Sequence, residues 1–346
     1  MKDLYTTHNK HIELWLKIIC FAIICMIFIG GFTRLTNSGL SITEWKPITG
    51  IFPPLTEESW NQEFDKYKES PEYLKINNSI EIKEFKSIFW VEFIHRIAGR
   101  ITGILYLLPL LYFLVNGTIS GNNIFIYIIG VILLFAQGFA GWYMVKSGLT
   151  SNPHVSHFRL AIHLLLAILL YSVLFWQLMK NSFDILILST KINLSRINLC
   201  LNISLTLLFT QITFGAFVAG LDAGLVYNNF PLMGESFVPN ELSSNALSLQ
   251  SFYDPVFVQF IHRILAYVTT TVILISCFIG FKIQNFLLSK TFVYTIIALI
   301  FQMIAGILTL INQVPITIAL IHQLGAVILL SCLLWSKYLV KTVDKK

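Results

Sequence analysis

The fold is decided by the stretch Phe93-Ile94-His95-Arg96-Ile97, because the same five residues recur at 260–264. Three further elements recur in the same order: residues 30–40 at 215–225, Gln137 at Gln302, and Ile162-His163 at Ile321-His322. In chain order the offsets are 185, 167, 165 and 159 residues, so the connecting loops absorb the drift. Four elements that repeat in one order indicate an internal duplication.

The repeated elements lie in or beside long apolar runs. Hydrophobic residues make up 55% of the 346 residues and charged residues 12%, and the mean hydropathy is +0.72, which is more apolar surface than a soluble domain can bury. A hydrocarbon core of about 30 Å is crossed by about 20 helical residues. Eight runs of that length occur, at about 14–34, 94–115, 122–143, 157–178, 197–219, 257–280, 290–311 and 317–337. The sequence therefore predicts an all-α integral membrane protein with eight transmembrane helices.

Each copy of the repeat contains four of these spans, so both copies enter the membrane from the same side and the repeats are parallel. We predict two tandem four-helix bundles, formed by residues 1–188 and 189–346. The first half carries a long outer segment at 35–93, for which a partly helical cap over a pocket and a surface for a partner protein are both open interpretations.

An even number of spans leaves both termini on one side of the membrane. The short outer loops at 220–256 and 312–316 contain no lysine or arginine, and basic residues favour cytoplasmic loops. Both termini are therefore expected in the cytoplasm. The net charge of +6 follows from this topology and does not indicate nucleic-acid binding.

Four histidines lie inside the predicted spans, two in each half: His95, His163, His262 and His322. An ionisable group in hydrocarbon is costly and marks a candidate functional site. A neutral histidine that bonds a neighbouring helix is the alternative, and a duplicated pair at matching depth favours the functional interpretation over it. Two imidazoles at one depth in a four-helix bundle can bind the iron of a heme from both sides. Zinc would need further ligands, which the second half does not offer at that depth.

Arginines accompany the predicted heme ligands. Arg96 and Arg100 follow His95, and Arg263 follows His262. Guanidinium groups at the membrane surface suit heme propionates. Interfacial snorkelling of the long side chains is the alternative explanation.

One position distinguishes the two halves. Glu92 stands one helical turn before His95, whereas Gln259 occupies the matching position before His262. A carboxylate beside only one heme indicates that the first site performs chemistry and the second holds a cofactor. An interfacial glutamate that faces water is the alternative.

Taken together, these motifs resemble the heme A synthase family over nearly the whole chain. The resemblance rests on Glu92-Phe-Ile-His95-Arg96 and on the segments at 30–41, 44–47, 158–164, 220–224, 229–233 and 321–325. Some members carry a cysteine pair in the first outer loop. Residues 35–93 contain no cysteine, so this chain resembles the subtype of proteobacteria and mitochondria.

The resemblance implies an enzyme that oxidises the C8 methyl group of heme O to the formyl group of heme A by successive hydroxylations, for heme-copper terminal oxidases. It implies that His95 and His163 bind the substrate heme, that His262 and His322 bind heme b, and that Glu92 is the catalytic residue. It further implies the bacterial inner membrane as location. The implied partners are membrane lipid, heme O synthase, oxidase assembly factors and an electron acceptor that the sequence does not identify, and homo-oligomerisation stays open.

A di-heme b electron-transfer cytochrome is the rival interpretation, since it needs the same four histidines. A transporter is less consistent with polar groups near one membrane face. Heme O synthase itself is set aside, because a prenyltransferase needs clustered aspartates and those of this chain are scattered.

Overall fold

The structure is a computed structural model that describes residues 9–46, 49–150, 152–182, 194–242 and 248–343. Ten α-helices occur in these ranges: α1 (Lys10–Leu35), α2 (Glu57–Lys68), α3 (Pro71–Lys75), α4 (Ile82–Val115), α5 (Ile124–Gly148), α6 (His157–Ser182), α7 (Ser195–Gly220), α8 (Pro255–Phe281), α9 (Phe286–Ile311) and α10 (Ile316–Val343). All except α2 and α3 are long and apolar enough to span a membrane. The predicted eight spans are therefore confirmed for the described part of the chain.

Side chains at the helix starts explain where several of these elements begin. Asp254 accepts a hydrogen bond from the Val256 amide, and Pro255 occupies the first turn of α8. Asn285 accepts from the Leu288 amide at the start of α9. Such caps supply hydrogen-bond partners for amides that have none inside the helix. This matters most in a membrane protein, because no water is present in the hydrocarbon core to bond a free backbone group.

Helix α4 begins earlier than its predicted span, at Ile82 rather than at about residue 94. Its 34 residues extend about 51 Å at 1.5 Å per residue, more than a hydrocarbon core of about 30 Å. About three turns at the start of α4 therefore extend beyond the length that a membrane span needs, on the side predicted to be the outer one. Hydropathy missed this extension because Lys83, Glu84 and Lys86 interrupt the apolar run.

The projecting part of α4 forms a small aromatic core with α2. The core consists of buried side chains on both helices, namely Trp60, Phe64, Tyr67, Phe85, Phe89 and Phe93. A capping box between Thr56 and Ser59 starts α2. The outer segment is thus partly helical, and we call α2, α3 and the projecting part of α4 the outer cap. Its position over a pocket and its role as a surface for a partner both stay predictions.

The chain divides into two compact units, Ala22–Ala167 and Met1–Phe21 with Ile168–Lys346. The limits of these units pass through α1 and α6. The predicted boundary at 188–189 and the extreme termini lie outside the described residues, so the division at 188 and the side of the termini stay predictions.

The second unit contains a four-helix arrangement. Helix α7 packs on α8, α8 on α9, α9 on α10, and α10 on α7. Hydroxyl groups join neighbouring helices inside it, with Ser204 bonding Ser276 at 3.0 Å and Ser336 bonding Thr291 at 2.9 Å. Small hydroxyl side chains at such contacts let helices approach closely in a membrane.

The duplication is visible in the local backbone. Asn37 follows α1 and Asp222 follows α7, and both adopt a left-handed conformation with a φ of 50°. They are separated by 185 residues, the offset of the first repeated element. Asn and Asp are the non-glycine residues that tolerate this conformation best, so both copies leave the first helix through the same turn.

Candidate functional sites

Each of the four predicted heme ligands packs its imidazole ring against a glycine of a neighbouring helix. In the unit Ala22–Ala167, His95 on α4 faces Gly30 on α1, and a Cβ at Gly30 would lie 3.5 Å from His95 Nε2. His163 on α6 faces Gly141 on α5, where a Cβ would lie 2.9 Å from His163 Cε1. Only glycine leaves the second ring in its present position without a shift.

The second unit repeats this geometry. A Cβ at Gly215 on α7 would lie 3.3 Å from His262 Cε1, and a Cβ at Gly306 on α9 would lie 2.7 Å from His322 Cε1. Gly30 and Gly215 are equivalent in the repeat, as are Gly141 and Gly306. The duplication therefore extends to the surfaces on which the histidine rings rest.

Glutamines contact three of the histidines. Gln137 Nε2 lies 3.3 Å from His163 Nε2, and Gln211 Nε2 lies 3.2 Å from His262 Nδ1. His322 Nδ1 instead lies 3.2 Å from a backbone oxygen, that of Gln302. Gln211 Nε2 also lies 3.4 Å from His262 Nε2. These contacts restrict the rotation of the imidazole rings.

The histidine pairs fit a heme. Both histidines of each pair lie in the same compact unit, and among the described residues His163 Nδ1 is buried without a hydrogen-bond partner. Nor does the described part of the chain bring together three or more His, Cys, Asp or Glu side chains that could bind a metal ion. Two imidazoles without further ligands suit a planar macrocycle that supplies the other four bonds to its metal, and they do not suit zinc.

Arg96 holds the outer loop that follows α1. Its Nη2 donates to the Ile42 carbonyl at 2.9 Å and its Nη1 donates to the Glu44 carbonyl at 3.1 Å. The guanidinium group also lies over the Trp45 ring, 5.7 Å from its centroid. A planar group with several donors suits such multiple contacts.

Arg263 makes the equivalent contacts in the second unit. Its Nη2 donates to the Tyr227 carbonyl at 2.9 Å and its Nη1 donates to the Asn229 carbonyl at 3.0 Å. Tyr227 and Asn229 follow Ile42 and Glu44 by the same 185 residues. We call this repeated contact the arginine latch.

All three predicted propionate ligands are thus engaged with loop carbonyls. Arg100 donates from Nη2 to the Lys46 carbonyl at 3.0 Å, and Arg263 also reaches the Leu232 carbonyl. Binding of heme propionates by Arg96, Arg100 and Arg263 stays a prediction.

Glu92 is buried, with 2% of its surface exposed, and both carboxylate oxygens accept two hydrogen bonds. Arg96 donates to Oε1 from Nε at 3.1 Å and from Nη2 at 2.6 Å. Ser41 Oγ and the Ile42 amide donate to Oε2 at 2.8 Å and 2.9 Å. Four donors match an ionised carboxylate, which only accepts. Glu92 therefore does not face water, contrary to the alternative considered for it.

Gln259 marks the difference between the two sites. It is as buried as Glu92, with 2% exposure, but its Nε2 donates to the Tyr227 carbonyl at 3.0 Å. Val226 stands where the first unit has Ser41. The anion and its hydroxyl donor are therefore present in the first site only.

Sequence reasoning missed two of these residues. Ser41 lies within the motif at 30–41 and could have been singled out because its counterpart is Val226. Gln211 gave no signal through the repeat, since its counterpart Met26 lacks a polar group.

A second buried carboxyl lies in the outer cap. Glu72 on α3 is 5% exposed and accepts a hydrogen bond from the Tyr67 hydroxyl at 3.0 Å. Burial raises the pKa of Glu72 to about 7; the Tyr67 hydrogen bond opposes this shift, and the charge of Glu92 adds to it. The half-buried Asn77 side chain donates to the Tyr67 oxygen at 2.9 Å, so the three side chains form one polar cluster.

Comparison with known proteins supports the repeated motifs. Residues 13–334 match the profile of COX15-CtaA, described as cytochrome oxidase assembly protein. The chain is 49% identical over 328 residues to the heme A synthase of Rickettsia felis, covering 95% of this chain and 97% of that protein. It is 50% identical over 330 residues to that of Rickettsia conorii, with the same coverage. For Rickettsia bellii the identity is 47% over 333 residues, with 96% and 99% covered.

Proposed function

This chain belongs to the COX15-CtaA family of cytochrome oxidase assembly proteins, and from that membership we propose that it is a heme A synthase, as its relatives are named. Its substrate is then heme O and its product heme A, formed by oxidation of the C8 methyl group to a formyl group through successive hydroxylations. The observation that carries the proposal is the buried anion Glu92 beside one of two otherwise duplicated histidine sites.

His95 and His163 bind the substrate heme in this proposal, and His262 and His322 bind heme b. The support is that each pair belongs to one compact unit and that every ring rests on a glycine. Heme b, when bound, supplies one-electron transfer. Gln211 restricts the position of His262 through its amide nitrogen, which lies 3.2 Å from Nδ1 and 3.4 Å from Nε2 and donates to the His262 carbonyl.

Glu92 acts through a fixed negative charge. Oxidation of a methyl group develops positive charge at that carbon, and a preorganised carboxylate stabilises such charge, although the paired Arg96 guanidinium balances part of the negative charge of Glu92. Arg96, Ser41 and the Ile42 amide hold the carboxylate in place, so it does not reorganise during the reaction. This favours electrostatic stabilisation over the alternative of proton transfer to Glu92.

The remaining assignments follow the family. The protein acts in the bacterial inner membrane with both termini in the cytoplasm, receives heme O from heme O synthase, and serves terminal oxidase assembly. An external acceptor takes up the electrons. Arg96, Arg100 and Arg263 are close to the histidine sites in sequence and are proposed to bind propionates when the hemes are present.

The test is extraction and mass analysis of the hemes from protein purified out of cells that make heme O but have no other heme A synthase. We expect heme B together with heme O, hydroxylated heme O or heme A. Glu92→Gln should retain heme but lower heme A formation at least about a hundredfold, the usual effect of removing one electrostatic contact to a transition state. Heme A at the normal rate from Glu92→Gln would refute the catalytic role.

A matched exchange in the other unit serves as control. Gln259→Glu changes the equivalent position beside His262 and should leave heme A formation well above that of Glu92→Gln. The repeated ring and glycine geometry also fits a di-heme electron-transfer cytochrome. Two tightly bound b hemes, with neither heme O nor heme A in the extract, would favour that function instead.

A further inference from the structure

The described residues between Ile42 and Gly50 lie along α4. They run from its outer end towards the membrane. Near the start of this stretch the Ile42 amide donates to Glu92, while the carbonyls of Ile42 and Glu44 accept from Arg96. Glu92 and Arg96 are successive positions on one face of α4, about 6 Å apart along its axis. The segment therefore follows α4 in the direction from the outer end to the inner end.

The outer segment continues along α4 as far as the side chain of Arg100. This side chain donates to the Lys46 carbonyl at 3.0 Å, and a Cβ at Gly50 would lie 3.2 Å from Arg100 Nη2. Arg100 lies one turn deeper than Arg96 and about six residues inside the predicted start of the span at residue 94. The Arg100 side chain leans towards the outer end of α4, as helical side chains do, so Gly50 lies near the predicted membrane boundary at residue 94.

Beyond Leu55 the chain returns to the water-facing end of α4. Glu57, the first residue of α2, pairs with Lys86 at 3.1 Å, and the ring of Trp60 lies 5.0 Å from that of Phe89. Lys86 and Arg100 are separated by about 21 Å along the helix. Residues 50–55 therefore connect a position near Arg100 with the water-facing end of α4, so Gly50, Ile51 and Phe52 lie nearest the membrane and Leu55 lies two residues before α2.

Residues 50–55 are apolar, and the large side chains among them are exposed. Their sequence is Gly-Ile-Phe-Pro-Pro-Leu, without a charged residue. Ile51, Phe52 and Leu55 are 45%, 74% and 82% exposed. Large apolar side chains in a row on the surface indicate a contact with a partner or with lipid. Because α4 also exposes Ile101 and Ile104 directly below Arg100, the apolar surface continues into the lipid-facing side of the span.

We propose that residues 50–55 insert into the outer leaflet of the membrane, with Ile51, Phe52 and Leu55 in contact with lipid acyl chains. An apolar stretch that lies in the interface gains the transfer free energy of its buried side chains. The two prolines lack amide donors, so the loop brings fewer unsatisfied backbone groups into a medium without water. The inserted loop fixes the depth of Arg96 and of Glu92 relative to the lipid surface, because both residues bond the same outer segment. The inference does not depend on the proposed heme chemistry.

The test measures the depth of spin labels in the full-length protein in lipid nanodiscs. The five native cysteines are replaced by alanine, and single cysteines are introduced as Phe52→Cys and Leu55→Cys. Glu58→Cys, on exposed α2, is the aqueous control, and Ile104→Cys is the lipid-facing control. Relaxation by oxygen, which concentrates in lipid, is compared with relaxation by a water-soluble nickel chelate.

Labels at 52 and 55 should show an oxygen-to-nickel ratio close to that at 104 and several-fold above that at 58. A ratio equal to that at 58 would overturn the proposal and would favour a protein partner for this surface. A second measurement needs no cysteine replacement: Phe52→Trp should add tryptophan emission that lipids brominated near the upper acyl chain quench. An added emission that these lipids leave unquenched would equally refute insertion.

Discussion

At the scale of single residues, Glu72 makes the stability of the outer cap depend on pH. Its pKa is raised to about 7, so the folded cap binds a proton more tightly than an opened cap, in which the carboxyl has its usual pKa near 4.3. Its neutral form is therefore the one that the folded cap accommodates. Cap stability is greatest below the unfolded pKa and falls as the pH rises through about 7.

Glu72→Gln should remove this dependence. The amide keeps an acceptor for the Tyr67 hydroxyl and carries no charge at any pH. We expect the variant to match the parent protein near pH 4.5 and to exceed its cap stability at pH 8 by at most about 4 kcal/mol, the equivalent of the pKa shift. Hydrogen exchange of residues 57–80, corrected for intrinsic exchange rates, measures the difference. Exposed Glu69→Gln is the control, and an equal effect of Glu72→Gln at both pH values would contradict the assignment.

The residues of the site were predictable to different degrees. His95, His163, His262 and His322 were predicted because each recurs in the duplication and each is costly in lipid. The hydrogen bonds of Glu92 were not, because they depend on the path of the loop at Ser41 and Ile42, and a loop path has no periodic signal in sequence.

At the scale of helices, the glycines under the histidine rings lead to a direct prediction. Gly141→Ala should lower heme binding by His95 and His163, because the new methyl group would stand 2.9 Å from the His163 ring. The helix itself gains up to about 1 kcal/mol from alanine, so weaker helix formation would not explain the loss. Absorption spectra of the purified protein, normalised to protein concentration, measure heme content.

Gly138→Ala is the matched control on the same helix, since a Cβ at Gly138 has no atom of the described residues within 4 Å. It should retain heme. If both variants bound heme equally well, the contact between Gly141 and His163 would not constrain the site.

Helix prediction succeeded where hydropathy alone decides the element. The eight spans follow from length and composition, since lipid demands about 20 apolar residues in each. It failed at the start of α4, where a helix continues into water among charged residues. There the stabilisation comes from packing of Phe85 and Phe89 against Trp60 of α2, and packing between separate segments is not visible in local composition.

At the scale of the whole molecule, the two histidine pairs belong to different compact units. His262→Ala should therefore remove heme b from the second unit while heme bound by His95 and His163 persists. Reduced-minus-oxidised difference spectra and heme extraction distinguish the two populations. His95→Ala is the reciprocal variant, with the opposite loss expected. Simultaneous loss of both hemes from either single variant, in protein that remains monodisperse, would show that the sites do not bind heme separately.

Helix α4 is uninterrupted over the residues that join the aromatic core to Glu92 and His95. No glycine or proline interrupts residues 82–98, and these are the usual origins of a kink. A displacement of the aromatic core at Phe85 therefore moves Glu92 and His95 as well, because α4 has no hinge between these residues. The α4 residues of the aromatic core, Glu92 and His95 therefore lie on one stiff segment, and any movement that separated them would require a neighbouring element to shift, since α4 has no point between them at which to bend.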